Sequence, residues 1–513
     1  MSRTKSFFQG ASFAYLYQGC ALVIGLWLTP FYIRTLGTKD FGIWLVGLQV
    51  LNFLLLCDFG IISVISRDVA HASGREQAEP GTGQLATLIA QTVKVVLAQT
   101  GLIAVLAVIL FFIRPSSDPG LRGAIGLVLA VFVISYPFRL FPAILQGLQD
   151  LKFLGQLRLW LWAFSSVLVV VLLLLGARFY ALACGWCVQQ MGHDVVTFLR
   201  LRRIRPDVLS ADIWNKSGPF RWRWFTRGFW VSVSALAYSL IAGTDLLIVG
   251  RFIGPTVVVV YSSTAKLITV LQNQPQTLAS VALPGLSHLR TSESRERILQ
   301  ATTSLTQAML LFVGLVFCII LAVNQQFVSA WLGVSFFGGM KLTVLLLLNF
   351  LVRQIDYTLA ITLFAFGREK IGAIRSLADG AVSSVLACIL VGHFGLEGVA
   401  FAFLCGGVFI AIPVDAYLLT KELDVSFREL IRPYVPYVWR FAVIGCVGLA
   451  IKARFGAPNL LNVAVSTTVV ALIYLALVIP YVWRTPLRGY IESITATITG
   501  AMRSRILGWS NNG

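Results

Sequence analysis

What most constrains this chain is a succession of fourteen apolar runs that read as bilayer spans, separated by short polar breaks. They lie at about 11–33, 41–64, 86–113, 122–146, 154–176, 179–198, 228–249, 256–284, 299–322, 342–366, 371–391, 395–419, 438–451 and 463–483. One spanning helix takes ~20 apolar residues, so 513 residues leave no room for a sizeable extramembrane domain. Charged residues make up 12% of the chain, half of the ~25% in an ordinary soluble domain. A soluble multidomain enzyme, a disordered chain and a disulfide-stapled secreted module are thereby excluded. The fold class is an all-α polytopic membrane protein. Met1-Ser-Arg-Thr-Lys5 leads into the first run without a small-residue cleavage site, as a retained first span does.

The net charge of +19 is distributed unevenly. With both termini in the cytoplasm, inside loops hold 26 Lys or Arg and outside loops hold 9. This asymmetry supports an even number of spans. The basic loop Arg200–Arg227 is then an orientation signal lying against anionic lipid, and no nucleic-acid partner is expected. Short loops and basic composition suit a multi-pass protein of the bacterial inner membrane. All eight cysteines fall inside apolar runs. Cys184-x-x-Cys187 has metal or redox spacing but no second pair of ligands, so buried structural thiols are the simpler reading.

The chain also repeats itself. Arg34-Thr-Leu-Gly37 aligns with Arg251-Phe-Ile-Gly254, Gly147 with Gly367, Gly176-Ala-Arg-Phe-Tyr-Ala-Leu-Ala183 with Gly395-Leu-Glu-Gly-Val-Ala-Phe-Ala402, and Asp194 with Asp415, at nearly constant offset. Six spans per unit give two units of the same orientation. Transporters with such halves place the substrate between them and alternate access by rocking. The expected organisation is an N-lobe over 1–205, a basic cytoplasmic linker over 206–227, a C-lobe over 228–421, and an appendage over 422–513 with spans 13 and 14 and a cytoplasmic tail.

Ionisable residues inside spans are costly and are functional candidates by default. The cations are Lys94, Arg139, Arg158, Lys266, Arg353 and Arg375, and the acids are Asp58, Asp194, Asp245, Asp356, Asp379 and Asp415. Arg158, Arg375, Asp194 and Asp415 fall near cytoplasmic ends, where snorkelling accounts for them. The deeper ones sit on polar stripes of helical spacing: Ser262, Lys266, Thr269, Asn273 and Gln276; Asn349, Arg353 and Asp356; Ser135, Arg139 and Gln146; Thr87, Gln91 and Lys94. A polar stripe avoids lipid, so these are expected to line a cationic chamber. Arg353 with Asp356, and Arg375 with Asp379, also have the spacing to neutralise each other along one helix. That is the simpler reading for the second pair and an open one for the first. Lys266, Arg139 and Lys94 have no acid at such spacing. The substrate-binding candidates are therefore Lys94, Arg139, Lys266 and Arg353, with Gln91, Thr269, Asn273, Gln276 and Asn349 lining the cavity. Pro275, in Gln272-Asn-Gln-Pro-Gln276, frees a carbonyl in mid-span and marks a hinge or a static kink.

Enzyme signatures are missing. His71, His193, His288 and His393 show no paired metal-ligand spacing, and there is no Walker loop, G-x-S-x-G or dinucleotide fingerprint. Neither a catalytic residue nor a cofactor or metal is expected. The longest outside loop, about 323–341, contains no acid, which argues against a lipid-dependent glycosyltransferase or polysaccharide ligase.

The stretch Pro30-Phe-Tyr-Ile-Arg-Thr-Leu-Gly37, then Asp40-Phe-Gly-Ile-Trp44, Asp58-Phe-Gly-Ile61 and Arg67, resembles the polysaccharide-transporter (Wzx, O-antigen flippase) family of the multidrug/oligosaccharidyl-lipid/polysaccharide exporter superfamily. The resemblance covers about residues 8–420. It implies two six-helix lobes in a V, passing a polyprenyl-pyrophosphate-linked oligosaccharide to the outer leaflet for O-antigen, lipopolysaccharide or exopolysaccharide assembly. It also implies a cationic cavity for the anionic head, an H+ or Na+ counter-ion with Asp58, Asp245 and Asp356 as coupling candidates, a monomer, and a polysaccharide polymerase and glycosyltransferases as partners. The alternative is a drug or metabolite antiporter of the related MATE type. Such exporters take cationic compounds and favour acidic chambers, whereas deep cations outnumber deep acids here.

Overall fold

The structure is a computed structural model that describes residues 3–78, 84–113, 118–209, 223–276, 295–454 and 458–485, with positions 279, 286, 487–489 and 492. Most of the basic linker, the end of the run at 256–284 and the terminal tail lie outside the described residues. Regular structure among the described residues is helical throughout, as a bilayer demands of a chain that must satisfy its own backbone. Among the described residues, eleven helices are long and apolar enough to cross a membrane. The apolar stretch Glu369–Leu423 holds two spans, because Gly395 leaves helical geometry at φ 57°, ψ −133°. Helices over the expected runs at 179–198 and 256–284 complete the fourteen. The chain falls into two compact units, Met1–Ser239 and Leu240–Gly513.

The first unit contains α1 (Arg3–Leu36), α2 (Thr38–Leu54), α3 (Ile61–Ala78), α4 (Gln84–Ile113), α5 (Pro119–Ser135), α6 (Leu140–Gly147), α7 (Leu151–Leu174) and α8 (Phe179–Ile204). The unit boundary falls within α9 (Arg223–Phe252). Local chemistry starts and stops these helices. Asp118 accepts from the Gly120 amide at 2.9 Å and Pro119 opens α5 without needing a donor. The run expected at 41–64 is not continuous. A 3₁₀ turn at Leu55–Asp58 and left-handed Phe59 and Gly60 end it, and α3 starts afresh at Ile61. The run at 122–146 likewise contains a 3₁₀ turn over Tyr136–Arg139, where Pro137 has no amide hydrogen to give an α-helix.

Two of the four repeat matches mark chain corners. Gly37 and Gly254 have φ 85° and 129°, and Gly176 and Gly395 have φ 82° and 57°, a region that favours glycine. The match of Gly147 with Gly367 has a different basis. Gly367 is a corner at φ 72°, but in the first unit the equivalent corner is Gln149 at φ 65°. Gly147 is instead a close approach, since a Cβ there would stand 2.5 Å from the Ser66 carbonyl and 2.7 Å from Val69.

The second unit continues with α10 (Pro255–Leu271), α11 (Arg295–Trp331), α12 (Met340–Ala365), α13 (Glu369–Gly406), α14 (Ile412–Leu423), α15 (Phe427–Ile431), α16 (Val435–Arg454) and α17 (Leu460–Val482). A π-helical turn over Gly407–Ala411 joins α13 to α14. Helix α11 is the axis, packing against α10, α12, α16 and α17. Spans 13 and 14, α16 and α17, are seated on α11 by small-residue contacts. Gly314 lies directly under the Phe441 ring, and a Cβ on Gly445 or Gly448 would stand 3.0 Å from Leu321 or 3.2 Å from Ala322. The Tyr474 hydroxyl donates to the Leu311 carbonyl at 2.7 Å.

Candidate functional site

In the first unit the interrupted helices build a polar centre. Breaking α2 and α5 leaves backbone groups without helical partners, and side chains meet them. Gln99 of α4 donates to the Asp58 carbonyl at 2.9 Å, and the buried Tyr136 hydroxyl lies 3.4 Å from Gln99 Oε1. The Asp58 carboxylate turns back to accept from the Gly60 amide at 2.8 Å. Arg139, at the end of the 3₁₀ turn, lies over the Tyr136 ring at 5.7 Å and in the electrostatic reach of Asp58 and Asp194. It makes no ion pair among the described residues, and one terminal nitrogen is buried without a protein partner. Asp194 is buried and accepts from Gln190 at 3.3 Å, which corrects the snorkelling expectation. Lys94 is exposed and Gln91 half-buried on α4.

In the second unit five ionisable side chains meet where α12, α13 and α14 pack. The ion pairs expected within single helices are exchanged across helices. Arg353 of α12 makes a two-pronged pair with Asp379 of α13, and its guanidinium also donates to the Phe403 carbonyl at 2.8 Å. Arg375 of α13 donates to Asp356 of α12 at 3.1 Å and to Asp415 of α14 at 2.6 Å. Asp379 and Asp415 are 0% exposed and Arg375 is buried, so the snorkelling reading of Arg375 and Asp415 is also corrected. Arg353, expected as an open cation, is neutralised. The reason is that a buried guanidinium gains most from a carboxylate meeting its planar fork, and the neighbouring helix supplies one. Gly406 and Gly407 make room, since a Cβ on Gly406 would collide with Ser383 and Asp379.

Helix α10 carries the remaining candidates. Lys266 is half-buried, and among the described residues no carboxylate lies within ion-pair distance of it. Thr269 and Asn273 are exposed, and Ser262 and Gln276 half-buried, along the expected stripe. The helix breaks at Gln272, whose carbonyl accepts from Gln354 of α12 at 3.0 Å, so the kink is braced. Asn349 has a buried carbonyl oxygen without a protein donor. Asp245 of α9 accepts from the Leu246 amide at 2.8 Å and lies near Tyr261 of α10. Asp58, Asp245 and Asp356 thus belong to three separate clusters. Sequence reasoning missed Gln99, Tyr136 and Asn324. Asn324 of α11 donates to the Thr264 carbonyl at 3.0 Å and to Thr343 at 3.1 Å, tying α10, α11 and α12 together. For Gln99 a lone amide inside an apolar run was the available signal, whereas Asn324 falls in the stretch 323–341 expected as an outside loop, which the structure keeps helical to Trp331.

A family model described as polysaccharide biosynthesis protein matches residues 7–290. The chain is 23% identical over 451 residues to the uncharacterized membrane protein EpsK of Bacillus subtilis (strain 168), covering 84% of this chain and 87% of that protein. Its fold is similar to that of the lipid II flippase MurJ in an inward closed conformation, with a TM-score of 0.63 at 12% identity over 91% of this chain and 98% of that one. A eukaryotic MATE transporter aligns with a TM-score of 0.54 at 15% identity, over 85% of this chain and 99% of that one. An inward-facing multidrug resistance MATE transporter of the MOP superfamily gives 0.51 at 15% identity, over 76% and 94%.

Proposed function

The chain belongs to the polysaccharide biosynthesis protein family, and we propose that it is a flippase carrying a polyprenyl-pyrophosphate-linked oligosaccharide from the cytoplasmic to the outer leaflet of a bacterial inner membrane by alternating access. The product would feed assembly of a surface polysaccharide such as O-antigen or exopolysaccharide. The observation that carries this reading is Lys266, a half-buried cation on a polar stripe with no carboxylate beside it among the described residues. A charge at that depth is costly unless something answers it. A pyrophosphate is a fitting answer, because it too cannot enter hydrocarbon unaided. Arg139 and Lys94 of the first unit are supporting cations, while Arg353 is already matched by Asp379. Binding must stay moderate for the head to leave on the far side.

The test is lipid-linked oligosaccharide sidedness. Deleting the gene should accumulate the intermediate on the cytoplasmic face, and Lys266→Ala should reproduce that defect with normal membrane insertion. Lys266→Arg should retain transport. Normal glycolipid display together with new sensitivity to cationic dyes would replace the flippase with a MATE-like antiporter. Full activity of Lys266→Ala would remove this residue from the site.

A further inference from the structure

The charge cluster of the second unit does not balance. Asp356, Asp379 and Asp415 stand against Arg353 and Arg375, so full ionisation leaves one negative charge in excess in a buried position. Arginine does not give up its proton in a protein, and an unanswered buried charge is strongly disfavoured. The imbalance must be met by something the five side chains do not themselves supply.

The geometry says where. Asp379 is saturated, with both oxygens on Arg353 and one also accepting from Ser383 at 3.1 Å. Asp356 and Asp415 differ. Each gives one oxygen to Arg375, and each has its other oxygen, Oδ1, buried with no donor. The two carboxyl groups also share one guanidinium, each on its own terminal nitrogen, which holds them side by side. With Arg353 taken by Asp379, two ionised carboxylates on this one guanidinium leave one negative charge unanswered, and each would raise the other's proton affinity. A proton between them supplies the missing donor and cancels the excess charge in one step.

We propose that Asp356 and Asp415, bridged by Arg375, share a single exchangeable proton, making the junction of α12, α13 and α14 a proton-binding site. The other charged groups acting on the pair are Arg353 and Asp379. Helix α11, which packs against α12 and α14, carries no charged side chain between Ile298 and Trp331. The π-helical turn Gly407–Ala411 carries none either, and Arg428 and Glu429 of α15 are exposed. Loss of the proton restores the excess charge among three helices and sets the two carboxylates against each other. The second unit thereby has two electrostatic states that differ by one proton. This holds whether or not the chain is a flippase, because it rests on charge balance and on the two buried carboxyl oxygens without donors.

The test is infrared difference spectroscopy of the purified full-length protein in lipid nanodiscs, in H2O and D2O. A protonated-carboxyl band component that shifts in D2O is expected at neutral pH. It should be lost in both Asp356→Asn and Asp415→Asn, each of which leaves one carboxylate facing Arg375, and kept in Asp194→Asn. If neither substitution removes any component, the proposal is overturned. It is equally overturned if sodium chloride at constant pH abolishes the component in the parent protein, which would mean a bound cation instead. Should the asparagine variants not fold, Asp415→Glu retains the carboxyl, and the component should move in frequency. An unmoved spectrum would overturn the proposal.

Discussion

Phe441 offers the sharpest test of how α16 and α17 are held. Its ring is 2% exposed, stacks on Tyr474 at 6.0 Å with an interplanar angle of 22°, and covers Gly314 of α11. In a soluble core, Phe→Ala costs about 3–5 kcal/mol from lost transfer free energy plus the cavity left behind. In a bilayer the transfer part largely disappears, because lipid tails are as apolar as the side chain. The cavity part remains: on the order of 100 Å³ at ~24 cal/mol per Å³ gives about 2.4 kcal/mol. Loss of the ring stack adds ~0.5–1.5 kcal/mol. Phe441→Ala should therefore cost about 3 kcal/mol, roughly a hundredfold in the folded-to-unfolded ratio. Gly314→Ala pushes a methyl into the ring and should cost about 1–3 kcal/mol. In the double variant the methyl enters the vacated space, so the combined cost should fall below the sum by at least ~1 kcal/mol. The assay is equilibrium unfolding in mixed lauryl sulfate micelles, followed by far-ultraviolet circular dichroism. Additive costs, or a Phe441→Ala cost below about 1 kcal/mol, would refute tight seating of these spans on α11.

The crossed ion pairs predict their own compensation. Asp379→Leu should cost about 3 kcal/mol or more by leaving Arg353 buried without its partner, whereas Arg353→Met with Asp379→Leu should recover most of that loss in the same unfolding assay. Gly406→Ala should destabilise by about 1–3 kcal/mol through collision with Ser383 and Asp379. Gly19→Ala, with nothing within 4 Å of the added Cβ, should be neutral or slightly stabilising by thermal scanning. At α15 the Ser426 amide, and then its hydroxyl, hold the Glu429 carboxyl below the usual carboxylate range. Because the folded pKa is depressed, the cap's contribution is full above that range and is lost as pH falls through the lowered value. Amide exchange in α15, corrected for intrinsic rates, should quicken across that acid window, and at higher pH in Ser426→Ala.

What the sequence by itself determined is what a helix in lipid must obey locally. Apolar length located the spans, and glycines at Gly37, Gly176, Gly254 and Gly395 mark corners, since a positive φ is a property of one residue. The repeat motif and the family resemblance follow from the same local constraints. The interior partnerships were decided only by tertiary structure. Arg353 and Asp356 have the right spacing to pair along α12, yet each finds a partner on a neighbouring helix. Spacing states which side chains share a face, whereas a buried charge settles on whichever opposite group best fits its hydrogen-bonding geometry. Depth counted along one helix, for the same reason, placed Asp194, Arg375 and Asp415 near the water although neighbouring helices bury them. Position along an axis is local information, but desolvation depends on everything packed around it.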